Sequence, residues 1–445
     1  MDIALMIKQL SEAVVGLPLL IIVIGVSIFY TIALHGIQFR YFLTAFKATL
    51  FPSQKGEHTE GQMSPFHAFM GTINSNLGNG SIAGMGTALF LGGPGAALWV
   101  VIFGLILMSV RFAEVYISVL YGMKSDKKSV LGGPMVYLKD VPGGKFLPHV
   151  YAVFCLVYGL LGGCSFQANS IQVSLKTTWG ISPFVSGGLL FVFVLYILCG
   201  GAQRIIKISL SLVPLKVLVF LVSTAAILMY HCAALPAAFS LIISSGLGMN
   251  AFVGGVVGFS LQQAITAGMT SSIFATESGL GSAAILFGST GSNDPIQSGL
   301  MGMVSTFLSM LTGFIVALCI VVSGVWNSGL NSTALTIAAF ETVFGNFAGW
   351  IVSFLSITFG FGVLVSFAYI SRSIWLFITN NRFPQAFIAL YSLFTLGGAL
   401  ATVVIVWDLI NIAVAGTLLI NLFGIVMLLP SIRTTLLNQL RNYRA

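Results

Sequence analysis

Charge is what this chain has least of. Only 7% of its 445 residues are charged, 11 acidic and 19 basic, while 57% are hydrophobic and the mean hydropathy is +1.02. A soluble globule needs a polar surface, and this composition cannot supply one. Cysteine is scarce too. The five at 155, 164, 199, 232 and 319 form no CxxC pair, which argues against a disulfide framework or a structural zinc site and leaves them as small buried residues. No phosphate loop, nucleotide motif, metal cluster or nucleophile constellation is evident, so nothing points to an ATP-driven pump or an enzyme. No basic stripe suggests nucleic acid. The first apolar run is too long for the core of a signal peptide and lacks a small-residue cleavage site, so it reads as a retained span.

What is present is length of apolar sequence. Runs of about 20 residues are spanning candidates. Eleven are found, at 13–34, 66–91, 94–121, 150–173, 183–201, 209–230, 250–274, 296–325, 347–370, 386–406 and 409–430. With the N-terminus outside and alternate crossings, 15 of the 19 Lys and Arg fall on the inside, Lys8 and Lys176 lie outside, and Arg111 and Lys216 fall within spans. That bias predicts an external N-terminus and a cytoplasmic C-terminus. The fold class expected is therefore an all-α polytopic membrane protein with eleven transmembrane helices, forming one transporter domain over 1–445. In the 35–51 segment Phe39, Phe42, Phe46 and Leu50 recur at helical spacing, which predicts a helix lying on the cytoplasmic surface.

Two spans are poor helices. The second contains "LGNGSIAG" (77–84), with Asn74 and Asn76 just before it. Gly78 and Gly80 ease departure from helical dihedrals, and Asn76, Asn79 and Ser81 bring polar groups to the same depth. Irregular backbone is tolerated in a membrane only inside protein or along a wet cavity. Gly80 and Gly84 also form a small-xxx-small pair suited to close packing, which accounts for the glycines but not for the amides and hydroxyl beside them. The second such place follows the seventh run, in "SSIFATESGLGSAAILF" (271–287): Thr276, Glu277 and Ser278, then Gly279 and Gly281. A carboxylate at that depth has a partner or a task, so Glu277 reads either as a structural ion or as a binding group. The two breaks are five spans apart, so their helices cross in opposite directions. That is the pattern of an inverted repeat of five helices, spans 2–6 (66–230) and 7–11 (250–430), behind an accessory helix at 13–34. Half-helix N-termini suit an anionic group and freed carbonyls suit a cation, a combination that fits a zwitterion carried with a cation.

Other polar residues lie at membrane depth. Gln167 is read as a substrate contact or an interhelical hydrogen bond, and Asn169 as structural. Arg111 and Glu114 are three apart and pair on one helix face. Lys216, near the cytoplasmic end of the sixth span, is expected to snorkel. Asp294-Pro295 is expected to cap the eighth helix.

At the two breaks the chain resembles the alanine/glycine:cation symporter family, a branch of the amino acid–polyamine–cation superfamily with a LeuT-like fold. The matching pieces are "LGNGSIAG" with "LGGPGA" (91–96), "GGPMVYL" (132–138), "FQANSI" (166–171), "FATESGLGSA" (274–283) and "NDPIQSGL" (293–300). The resemblance implies import of alanine or glycine driven by sodium; the very few charges and the lack of a dedicated soluble domain suggest a bacterial plasma membrane. It implies no cofactor beyond the coupling ion. It places the substrate at Gly78, Asn79, Gly80, Ser81, Gln167, Thr276, Ser278, Gly279 and Phe367, and a cation at Asn76, Ser81, Thr276, Glu277 and Ser366. Some positions differ from the family pattern. Asn79 and Ser81 stand where it has threonine and asparagine, and Thr276 and Ser278 where it has asparagine and alanine. Gly362 and Val363 stand where threonines are expected in the ninth span, and Ser271 and Gln297 where basic residues often occur. A proton-coupled carrier and an uncoupled exchanger are the alternatives of the same kind, and a channel or transporter-derived sensor is the alternative of another class.

Overall fold

The computed structural model describes residues 17–51, 64–124, 132–248, 261–290, 294–400 and 404–444, with a few isolated residues besides. Among them every regular element is helical. The helices are α1 (Leu17–Ala33), α2 (Phe42–Leu50), α3 (Pro65–Asn76), α4 (Asn79–Gly92), α5 (Gly95–Lys124), α6 (Leu147–Leu160), α7 (Phe166–Trp179), α8 (Pro183–Cys199), α9 (Gly201–Tyr230), α10 (Leu235–Gly246), α11 (Leu261–Thr276), α12 (Ser282–Gly288), α13 (Pro295–Val322), α14 (Ser332–Phe344), α15 (Ala348–Ile378), α16 (Pro384–Leu400) and α17 (Val404–Arg444).

Several starts follow from local chemistry. Ser64 Oγ accepts from His67 N at 3.2 Å ahead of Pro65, Ser182 Oγ accepts from Val185 N at 3.4 Å ahead of Pro183, and Asp294 Oδ1 accepts from Gln297 N at 2.9 Å ahead of Pro295. In each case a short polar side chain caps an orphan N–H, and the proline lacks the N–H that would otherwise be orphaned. The Asp294 cap is as expected from the sequence.

Six helical stretches among the described residues are long and apolar enough to cross a membrane, the broken pair α3–α4 and several shorter apolar helices standing apart from that set. Large apolar side chains face outward, among them Ile21, Ile32, Phe184, Val192, Leu218 and Met229. Exposed apolar surface on that scale is what a lipid-facing belt requires. The interior is centred on α5 and α13, the most extensively packed pair.

Some boundaries differ from the sequence expectation. Helices α10 and α14 and the turn Pro134–Tyr137 fall in segments read as loops, α15 runs to Ile378, and α17 begins at Val404 and runs to Arg444. Hydropathy windows find runs long enough to span and miss short helices that pack between them. The start of the seventh run, 250–260, lies outside the described residues, as does 125–131 in the loop before "GGPMVYL". The surface segment is helical as expected, at Ile37–Arg40 and Phe42–Leu50. Phe42 and Phe46 pack edge-on against Phe307 of α13, while Phe39 and Leu50 point outward.

"GGPMVYL" is a buried plug against α12. Gly133 N donates to Ser118 Oγ at 2.9 Å, and Ser118 Oγ donates to Ala284 O at 2.6 Å. A Cβ at Gly132 would lie 2.1 Å from the carbonyl carbon of Gly288, backbone against backbone. Gly132→Ala is therefore expected to destabilise the fold by about 1–3 kcal/mol, as overpacking of a close-packed interior does. A lowered thermal unfolding midpoint checks this, and an unchanged midpoint refutes it.

Candidate functional site

Both breaks exist, and they are built differently. At the first, α3 ends at Asn76 and α4 begins at Asn79. Gly78 has φ −112°, an extended backbone open to any residue. Its glycine is required by close approach instead, because a Cβ there would lie 2.4 Å from Val363 Cγ2 of α15. The ladder is rewired around it. Gly78 N donates to Asn76 O and Ser81 N to Gly78 O, both at 3.0 Å, so the carbonyls of Asn74 and Leu77 lose their helical partners.

The second break is a left-handed turn. Glu277 (φ +52°), Gly279 (+86°) and Gly281 (+82°) all have positive φ. Two of the three are glycine, which adopts such angles without cost, whereas Glu277 is strained. The turn is clamped from outside. Arg111 and Glu114 of α5 form a fully buried ion pair at 2.7 Å. The Arg111 guanidinium also donates to Thr276 O and, at 3.3 Å, to Thr306 Oγ1. Glu114 Oε2 accepts from Gly281 N at 3.2 Å and from Asn421 Nδ2 at 3.0 Å, and that amide also donates to Gly279 O at 2.8 Å. A cation thus sits at the carbonyl end of α11 and an anion next to the first N–H groups of α12, the arrangement that helix dipoles favour. Arg111 and Glu114 do pair as expected, and their position explains why the pair is buried.

The two breaks meet at one cavity of about 1180 Å³. Asn76, Gly78 and Gly80 line it from the first break, Glu277 from the second, and Tyr158, Gln167 and Asn169 from α6 and α7. Its wall runs from the breaks to Leu91, Gln262, Asn331 and Trp407, at one set of helix ends. Glu277 is the single charged side chain among the described lining residues. Glu277 accepts from Tyr158 Oη at 3.1 Å and from Ser282 Oγ at 2.8 Å. Asn76 Nδ2 is buried and makes no hydrogen bond. Such a group costs free energy until something accepts from it.

Most other residues singled out from the sequence stand behind this wall. Asn79 Nδ2 donates to Gln167 Oε1 at 3.2 Å, and Asn79 Oδ1 accepts from Ser356 Oγ at 2.8 Å, so its amide ties α4 to α7 and α15. Ser81 Oγ donates to Asn76 O at 3.5 Å, Thr276 Oγ1 to Ser272 O at 2.8 Å and Ser366 Oγ to Gly71 O at 3.0 Å. Ser278 Oγ pairs with Thr306 Oγ1 at 3.1 Å, and Gly279 lies against Leu418 and Leu422. Phe367 is fully buried, edge-on to Tyr158 with ring centroids 5.3 Å apart, so Tyr158 faces the cavity and Phe367 backs it. Asn169 lines the cavity while donating to Gly398 O at 3.1 Å.

Sequence reasoning missed Tyr158, Trp407 and Asn411 in the wall; a tyrosine in an apolar run with 36 phenylalanines carries no signal of its own. It also misplaced Lys216. The side chain does not snorkel to an interface; it is fully buried, with Nζ 3.0 Å from Leu77 O.

Comparison with known proteins gives this architecture a place. A profile of the sodium:alanine symporter family matches residues 1–445. The chain belongs to the sodium:alanine symporter family. It is thus a multi-pass membrane transporter of a family that moves amino acids with a coupling cation. Relatives include the sodium/alanine symporter AgcS of Methanococcus maripaludis, 26% identical over 437 residues that cover 96% of this chain and 95% of the relative. An uncharacterized transporter of Bacillus subtilis, YflA, is 29% identical over 435 residues (95% and 90%). Among solved structures, a manganese transporter of Eremococcus coleocola superposes with a TM-score of 0.52 at 10% identity, covering 83% of this chain and 80% of that one. A Na+-coupled sialic acid symporter superposes at 0.50 and 11% identity (90% and 82%). At such identities the likeness is one of fold alone.

Proposed function

We propose that this symporter-family member is a secondary transporter that imports small neutral amino acids, alanine or glycine, by alternating access. The observation that carries the reading is the convergence of both breaks on one cavity where Glu277 is the single charged side chain among the described lining residues. A zwitterion needs two opposite poles. Glu277 receives the ammonium, and the cavity-facing Gly80 in the first turn of α4 receives the carboxylate at the positive end of a helix dipole, Asn79 N and Ser81 N being already given to Gln167 Oε1 and Gly78 O. Asn76 Nδ2 adds a donor, and Gln167 holds Asn79 in place behind. Glycine at position 80 leaves the backbone open to close approach. The cavity is larger than alanine, and the excess is the path between the site and the helix ends.

The architecture proposed is eleven crossings in two inverted repeats, 66–230 and 250–430, with 13–34 as the accessory helix, in a bacterial inner membrane with the N-terminus outside. In that orientation the cavity runs toward the external face, and the buried "GGPMVYL" plug closes the cytoplasmic one. Sodium is the coupling ion that family membership implies, with the cavity-facing Asn76 and Glu277 as its nearest ligands and Ser81, Thr276 and Ser366 behind them; the proton is the rival ion.

Reconstituted into proteoliposomes, the protein is expected to accumulate labelled alanine and glycine saturably under an imposed cation gradient. Movement of neither amino acid under sodium or proton gradients sinks the substrate assignment. Flux that never saturates would point to a channel instead.

A further inference from the structure

The first break frees the carbonyls of Asn74 and Leu77 at the C-terminal end of α3. Freed carbonyls at the negative end of a helix dipole attract a cation. Here the cation comes from the chain itself. Lys216 of α9 is fully buried, and its Nζ donates to Leu77 O at 3.0 Å and to Asn74 O at 3.5 Å. It also lies 5.4 Å from the ring centroid of Phe359. No carboxylate pairs with it among the described residues, where Arg111–Glu114 is the one ion pair between side chains. A buried ammonium without a counter-ion is costly unless oriented dipoles take up its charge, and the two carbonyls and the ring face do so.

Space is allotted to match. Helix α15 closes the far side with Gly362. A Cβ there would lie 2.6 Å from Lys216 Nζ and 2.7 Å from Asn74 Oδ1. A side chain at 362 would therefore force the ammonium or the Asn74 amide to shift. Without the lysine, a hydroxyl at 362 would join the two carbonyls and Asn74 Oδ1 in a set of oxygen ligands of the kind that holds a small monovalent cation.

We propose that Lys216 is the resident cation of the first break, occupying the place of a diffusible sodium ion, and that this chain loads no sodium there. For transport the consequence rests on the reading above: one sodium fewer passes per cycle than through the same break with a hydroxyl at 362 and no lysine.

The test needs no amino acid, so it stands or falls separately from the substrate assignment. Full-length protein is purified as wild type, as Lys216→Met, which keeps an apolar stem without the charge, and as Lys216→Ala with Gly362→Ser. Thermal unfolding midpoints are compared in sodium chloride and in choline chloride at equal ionic strength. The double variant is expected to gain a sodium-specific rise of about 2 °C or more over any response of the wild type, since an ion that binds only the folded state stabilises it. Lys216→Met is expected to melt below the wild type in choline. Recovery of either variant as folded protein in sodium alone counts for the proposal. Equal sodium responses in the wild type and the double variant overturn it, as does a Lys216→Met protein as stable as wild type in choline. Failure of both variants to fold in either salt overturns it too, because sodium then cannot stand in for the ammonium.

Discussion

Glu277→Gln is expected to lower the apparent affinity for alanine by at least about 30-fold while leaving the protein folded. Glutamine has nearly the same shape. Its carbonyl oxygen still accepts from Tyr158 Oη, and Ser282 Oγ can accept from its amide where it now donates to the carboxylate. What is lost is the one formal charge among the described residues lining the cavity. Removing one partner of a desolvated, hydrogen-bonded charge pair costs about 2–5 kcal/mol. With 1.4 kcal/mol per tenfold, that range begins near 30-fold and reaches into the thousands. The half-saturation constant of uptake and calorimetric binding of alanine measure it, and the thermal midpoint reports whether the fold is intact. Unchanged alanine affinity in a folded Glu277→Gln protein removes Glu277 from the site and leaves it a structural ion. The strain at Glu277, φ +52° in a non-glycine residue, concerns folding and is retained in the variant, so it does not confuse the comparison.

Arg111→Met is expected to be the most destabilising single change at the site, by about 3–5 kcal/mol, because it strands a buried charge. Glu114 would remain in the interior with only Gly281 N and Asn421 Nδ2 to satisfy it, and Thr276 O would lose its donor. Adding Glu114→Gln is expected to restore part of that loss, since an amide still accepts from Gly281 N without carrying a charge. The unfolding midpoints of the two single variants and the double variant give the coupling between the residues. A cycle without coupling, or an Arg111→Met protein as stable as the wild type, rejects the clamp. Transport by any folded variant should fall as well, because the turn from Glu277 to Gly281 would no longer be held at both ends.

The two breaks were legible because their signal is local. Glycines and polar side chains stand out inside an apolar run. The first break lies where the sequence puts it, but for a different cause. Gly78 looked like a residue that frees dihedral angles, yet its backbone is extended, and the missing Cβ makes room for Val363, 285 residues further along. Contacts at that separation leave no pattern in a single chain. Nor does depth in an apolar run separate Phe367 from Tyr158: the ring that lines the cavity is that of Tyr158, with Phe367 edge-on behind it.

By itself the sequence determined that the chain is helical and crosses a membrane repeatedly, since low charge and long apolar runs have no other stable outcome in lipid. It also determined where regular helix must fail, because glycine and polar side chains act within a turn or two of their own position. The tertiary structure alone decided what packs against those failures. It brought Lys216 of one helix and Gly362 of another to the carbonyls of the first break, and Arg111 and Glu114 to the two ends of the second. Those assignments depend on which way each helix turns its face toward its neighbours, and packing sets that only when all the helices are present.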